Sequence, residues 1–111
     1  MELLRAQTLA RGLMHEHGLL EPSLYGPWGF AFDRGTRRFG ATHWGDRPRK
    51  ITLSKNFVLV NEEEIVKQVM LHEIAHVLAG PYENHGPKFQ AAVRAIGASS
   101  AVYGALVKQG T

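Results

Sequence analysis

The stretch that most constrains this chain is residues 61–79. Val66, Val69, Met70, Ile74, Val77 and Leu78 make it a helical segment apolar nearly all round, yet His72, Glu73 and His76 sit in its middle. A helix of that character belongs at the centre of a core. Two histidines and a glutamate placed there cost on the order of several kcal/mol unless they are coordinated or hydrogen-bonded. Residues four apart lie one turn apart on the same face, so the imidazoles of His72 and His76 can reach a single ion at roughly 2.0–2.1 Å. Glu73 is rotated about 100° around the helix, beside such an ion rather than on it. From there it can hold a metal-activated water and accept its proton.

A catalytic zinc site takes three protein ligands and keeps one position open. The chain has no Cys, which excludes thiolate zinc fingers, iron–sulfur clusters, a disulfide framework and a cysteine nucleophile. The third ligand is therefore a histidine or a carboxylate. The long metzincin signature requires a glycine three residues after His76 and a histidine six residues after it; Ala79 and Tyr82 stand there, and the pattern fails. His85, just past the Gly80-Pro81 break and at the mouth of the next helix, is the favoured third ligand, with Glu83 the competing carboxylate. One Zn²⁺ is the expected cofactor.

The remaining elements follow from periodicity and punctuation. Apolar residues at Leu3, Ala6, Leu9, Ala10, Leu13 and Met14 predict an amphipathic helix over 3–17, ended by Gly18. A loop over 19–27 leads to alternating aromatics, Trp28, Phe30 and Phe32, the inner face of a strand over 28–33. Arg34-Gly35-Thr36 offers a turn, and strands over 38–44 and 50–54 then complete a three-stranded antiparallel meander. Asn61, with Glu64 three residues on, predicts the start of the metal helix, which stops at Gly80-Pro81. Pro87 opens a short helix through Phe89, Ala92, Val93 and Ile96, closed by Gly97. Residues 98–111 are weakly patterned.

With 111 residues, 44% of them hydrophobic and 21% charged, the expectation is one soluble α+β domain spanning 1–111. No 18-residue apolar run exists and residues 1–5 lack the apolar core of a secretory signal, so a cytoplasmic monomer without membrane contact is expected. The net charge of +3 conceals an uneven distribution: seven of the thirteen Lys and Arg lie within residues 34–55, against the single acid Asp46. Within that segment Arg37, Arg38, Trp44, Arg47, Arg49 and Lys50 form a candidate nucleic-acid surface, the arginines and lysine meeting phosphates and the indole stacking on an unpaired base. A solvated hairpin over a core tryptophan explains the same residues equally well.

Tyr25, Tyr82 and Tyr103 are candidate donors to a developing oxyanion, with Tyr82 nearest the ligands in sequence. His15 and His17 need no second metal site, because cations are favoured at a helix C-terminus.

Several of these strings occur together in one known family. Leu71-His72-Glu73-Ile74-Ala75-His76-Val77-Leu78-Ala79-Gly80-Pro81, then His85-Gly86-Pro87-Lys88-Phe89 and Ile96-Gly97, resemble the SprT-like metallopeptidase family. So do Trp28-Gly29-Phe30-Ala31-Phe32-Asp33, Arg38-Phe39-Gly40, Ile51-Thr52-Leu53-Ser54 and Asn61 upstream; the likeness covers residues 24–97. The resemblance implies a compact zincin-like fold, zinc held by His72, His76 and His85, Glu73 as general base, and peptide-bond hydrolysis. In some members hydrolysis is directed at proteins joined to or bound on DNA and is stimulated by DNA. Many relatives also carry a cysteine-rich zinc ribbon, which these 111 residues do not contain.

The expected function is that of a zinc-dependent endopeptidase. An extended protein or peptide substrate would pair with an edge strand over 50–54, Glu73 passing a proton to the leaving amine. Two alternatives stand beside it: a non-catalytic, zinc-stapled module binding DNA or protein, and a small zinc peptidase that cuts a regulatory protein. A structural zinc site needs four protein ligands, which favours the catalytic readings.

Overall fold

A computed structural model describes residues 1–22, 27–45 and 48–99. Its first helix, α1 (Leu3–Glu16), buries Ala6, Ala10, Leu13 and Met14 on one stripe, as the apolar spacing requires. Gly18 adopts φ 79°, the left-handed conformation that lets the Leu19 N–H donate back to the Met14 carbonyl at 2.9 Å. Leu19, fully buried, then ties the chain to the next segment, its carbonyl accepting the Trp28 N–H at 2.8 Å.

Three strands form one sheet in the order β1 (Gly29–Asp33), β3 (Lys50–Ser54), β2 (Gly40–His43). Ile51 and Leu53 enter the core from one face of β3, while Thr52 on the other pairs with the ring of His43 at 2.8 Å. β2 runs antiparallel to β3, Gly40 opposite Leu53 and His43 opposite Lys50, but β1 runs parallel to it, Gly29 opposite Lys50 and Asp33 opposite Ser54. The sheet is thus mixed, not an antiparallel meander, and β1 and β2 do not form a hairpin.

Arg34-Gly35-Thr36 does bend the chain, with Asp33 Oδ1 accepting the Gly35 N–H at 2.8 Å. The bend leads across the end of β3 instead of back along β1. The Ser54 hydroxyl donates to the Gly35 carbonyl at 2.9 Å and the Ser54 N–H to the Phe39 carbonyl at 2.7 Å. Turn residues specify a change of direction, not which strand the chain meets next. It follows that residues 50–54 are the central strand, both sides paired, and offer no edge to a substrate.

A short helix absent from the sequence reading, α2 (Lys55–Val60), follows β3 directly. Ser54 caps it, its hydroxyl accepting the Phe57 N–H, and Asn61 closes it, its side-chain amide donating to the Phe57 carbonyl at 2.9 Å. Asn61 therefore ends α2 instead of opening the metal helix. That helix, α3 (Glu63–Ala79), starts after Glu62, whose side chain makes no capping bond, and carries Glu63 and Glu64 in its first turn, where carboxylates suit the helix dipole.

Ten residues of α3 are buried, including Val66, Val69, Met70 and Ile74 in the main core with α1, β3 and Trp28. Trp28 is only 3% exposed, and Phe30 and Phe32 pack against the same core. After Gly80, α4 (Pro87–Ala95) places Phe89 and Val93 against Ala75 of α3 in a smaller cluster. Gln68 anchors the end of that return, its side-chain carbonyl accepting the Ser99 N–H at 2.6 Å. No helix among the described residues is long and apolar enough to cross a membrane.

Candidate metal centre

The four-residue spacing on α3 brings the rings of His72 and His76 to 4.9 Å between centroids, and the loop before α4 delivers His85 to 5.3 and 4.9 Å from them. The ligand-capable nitrogens of the three all lie within 4.8 Å of one another. A tetrahedral ion with bonds of roughly 2.0–2.1 Å holds its nitrogens roughly 3.4 Å apart, so a small rotamer adjustment closes the three on one ion. Phe89, 1% exposed, is the floor, its ring 4.9, 4.4 and 4.9 Å from those of His72, His76 and His85.

The donor chemistry fits a metal. Burial pushes the His72 pKa down to about 3, helped by the charges of His76 and His85, and burial with His85 pushes His76 down to about 4. Both are neutral imidazoles at neutral pH, the form that ligates. Glu83, the competing carboxylate, is not in the cluster that His85 joins; its Oε2 instead accepts the Lys88 N–H at 2.7 Å at the start of α4.

Glu73 is 4% exposed and faces a cleft of about 220 Å³ that His76, Thr42, Arg38 and Trp44 also wall. Burial raises its pKa to about 7 against the opposing pull of the Thr42 hydrogen bond and the Arg38 charge. The Thr42 hydroxyl donates to Glu73 Oε1 at 2.9 Å and lies 3.2 Å from the Glu73 carbonyl. β2 comes this close to α3 because Gly40 has no side chain: a Cβ there would stand 3.2 Å from Glu73 Cγ and 3.1 Å from the Thr52 carbonyl oxygen. Thr42 carries no sequence signal as a site residue, since only the β2–β3 register brings it to a helix residue 31 positions away.

The other candidates disperse. Tyr82 is 94% exposed and does not wall the cleft, and Tyr25 and Tyr103 lie outside the described residues. Of the nucleic-acid candidates, Arg38 lines the metal cleft, and Arg37 joins Arg34 and Arg38 around an adjoining cavity of about 510 Å³. Trp44 is half-buried, its ring edge-on to Trp28 at 4.9 Å and overlain by Arg49 at 5.6 Å. Lys50 sits half-buried on the central strand, and Arg47 lies outside the described residues. His15 and His17 join no three-residue ligand cluster among the described residues.

An α+β fold whose central helix and following loop converge three imidazoles beside a buried carboxyl defines the class: a protein able to hold a metal ion at a His₃ site. The family model described as the SprT-like family matches residues 22–108, and the chain belongs to that family, which is zinc metallopeptidase-like. No curated protein and no solved structure matches it.

Proposed function

We propose that this chain is a zinc-dependent endopeptidase with a zincin-like site in which Glu73 is the general base. The observation that supports this most is the pairing of three convergent histidines with a fourth polar group, Glu73, that is buried, bonded to Thr42 and on the wall of the cleft that His76 also lines. A purely structural zinc site calls for a fourth protein ligand, and no such residue joins the cluster among the described residues.

The ion that His72, His76 and His85 would hold supplies Lewis-acid polarisation of the scissile carbonyl and a water of lowered pKa. Glu73 takes the proton of the attacking water and delivers it to the leaving amine. A carboxyl whose value burial lifts to about 7 is matched to both steps near neutral pH. The Thr42 hydroxyl, donating to Glu73 Oε1, orients that carboxyl. Arg38, the cation on the cleft wall, would stabilise negative charge developing on the substrate.

An extended peptide has one strand beside the cleft to pair with, β2, whose outer side takes no partner strand among the described residues. Substrates presented on DNA are the arm of this reading that Arg34, Arg37 and Arg38 support, since they line the adjoining cavity and the last belongs to both.

The test is cleavage of an unfolded protein by zinc-loaded chain, with and without single-stranded DNA, and after chelation and zinc re-addition. Cleavage that chelator abolishes and zinc restores is expected; absence of cleavage in every arm would overturn the reading. An increase on adding DNA supports the DNA-presented substrate, and no increase removes it.

A further inference from the structure

His85 is the one member of the metal set that α3 does not carry. It is exposed and arrives from the loop over residues 80–86. A ligand on a free loop adds the cost of ordering that loop to every binding event, so a preset loop binds more tightly. This loop is preset by the side chain of Glu83, bonded to the start of α4.

Glu83 Oε2 accepts the Lys88 N–H at 2.7 Å, beyond His85, while the Glu83 carbonyl accepts the Gly86 N–H at 3.0 Å. Residues 83–88 are thereby tied into a closed turn with His85 inside it. Gln90 Nε2 donates to the His85 carbonyl at 3.3 Å, and Asn84 enters the turn at φ 53°, a left-handed conformation Asn tolerates. Gly86 has an ordinary φ of −73°, so its conformation does not demand glycine. Space does: a Cβ there would stand 2.5 Å from Glu83 Oε2 and 3.1 Å from the Glu83 carbonyl oxygen.

We propose that Glu83 is a positioning residue for the metal centre, its carboxylate clasping the start of α4 so that His85 is held towards His72 and His76 before any ion binds, with Gly86 leaving the volume the clasp occupies. The inference rests on His72, His76 and His85 forming one ligand set. The clasp assigns the acid of the loop a role other than ligation and explains the two small or turn-tolerant residues that flank His85.

The test is a competition titration of Zn²⁺ against a chromophoric chelator. It uses metal-free wild type, Glu83→Ala, Glu83→Gln, Gly86→Ala, the Glu83→Ala/Gly86→Ala double variant and His85→Ala, each held below its unfolding midpoint. Glu83→Ala is expected to weaken zinc affinity about 10- to 100-fold, the range typical of residues that orient metal ligands. Glu83→Gln should lose less, because its amide oxygen can accept the same N–H. Gly86→Ala should weaken affinity on its own, yet the double variant should be no weaker than Glu83→Ala, since both break one clasp.

A cap that serves only the helix would lower the metal-free melting temperature and leave zinc affinity unchanged, and that result overturns the proposal. Weakening by His85→Ala without weakening by Glu83→Ala rejects the clasp and keeps the centre. Unchanged affinity in His85→Ala rejects the ligand set and the clasp with it. Should Glu83→Ala fail to fold, the Gln and Gly86 variants decide, full wild-type affinity in both being the contrary outcome.

Discussion

At the scale of single residues, the centre combines groups the sequence displays openly with groups it hides. His72, Glu73 and His76 declare themselves because a four-residue spacing on a helix puts two side chains on one face, and three polar groups in an apolar helix need a reason to be there. His85 required the loop geometry to separate it from Glu83, and Thr42 could not be found at all, since strand register is not written locally. Thr42→Val tests that hidden contact. It removes a hydrogen bond to the carboxylate, about 1.5–3 kcal/mol for a charged partner, so kcat should fall roughly 10- to 100-fold while zinc stoichiometry and KM stay near wild type. An unchanged kcat would separate Thr42 from the base. In the metal-free protein, Glu73→Gln should raise the melting temperature at pH 8, because the folded state no longer has to bury a carboxylate that burial holds at about 7.

At the scale of elements, the helices were legible and the sheet was not. α1, α3 and α4 follow from apolar spacing, a glycine stop and a helix-opening proline. α2 escaped because six residues are too few to show a period, and the capping residues around it, Ser54 and Asn61, read equally well as strand and helix punctuation. The order β1-β3-β2 rests on tertiary bonds from Ser54 to Gly35 and Phe39, which no local pattern announces. That order has a functional effect, because it makes β2, not residues 50–54, the strand that borders the cleft. Gly40→Ala probes this junction. The added methyl must displace Leu53, the Thr52 carbonyl or Glu73, at a cost of about 1–3 kcal/mol. The urea midpoint should drop and cleavage should fall with zinc still bound; retention of both stability and rate would show that β2 and α3 can separate freely.

At the scale of the whole molecule, an ion held by His72, His76 and His85 would join α3 to the loop before α4, and its binding would then be folding energy for the α3–α4 junction. A ligand bound only by the folded state adds about 2.7 kcal/mol at a concentration 100 times its Kd. Zinc removal should therefore lower the melting temperature and expose the α4 amides to hydrogen exchange ahead of those of α1. Acid should mimic that loss. In the metal-free chain the lowered His72 and His76 favour folding fully above pH 6.5 and lose that effect as pH falls towards 4 and 3, whereas the raised Glu73 favours folding below 4.5 and loses it as pH rises through 7. Two histidines outweigh one carboxyl between pH 4.5 and 6.5, so the metal-free melting temperature should rise across that window; a fall would contradict the buried, neutral histidines. The most direct test of the account is the cleavage rate of zinc-loaded Glu73→Gln on an unfolded protein, read beside its zinc content. One zinc per chain with cleavage reduced at least about 100-fold is expected, and a fully zinc-loaded variant cleaving at near the wild-type rate would remove Glu73 as the base.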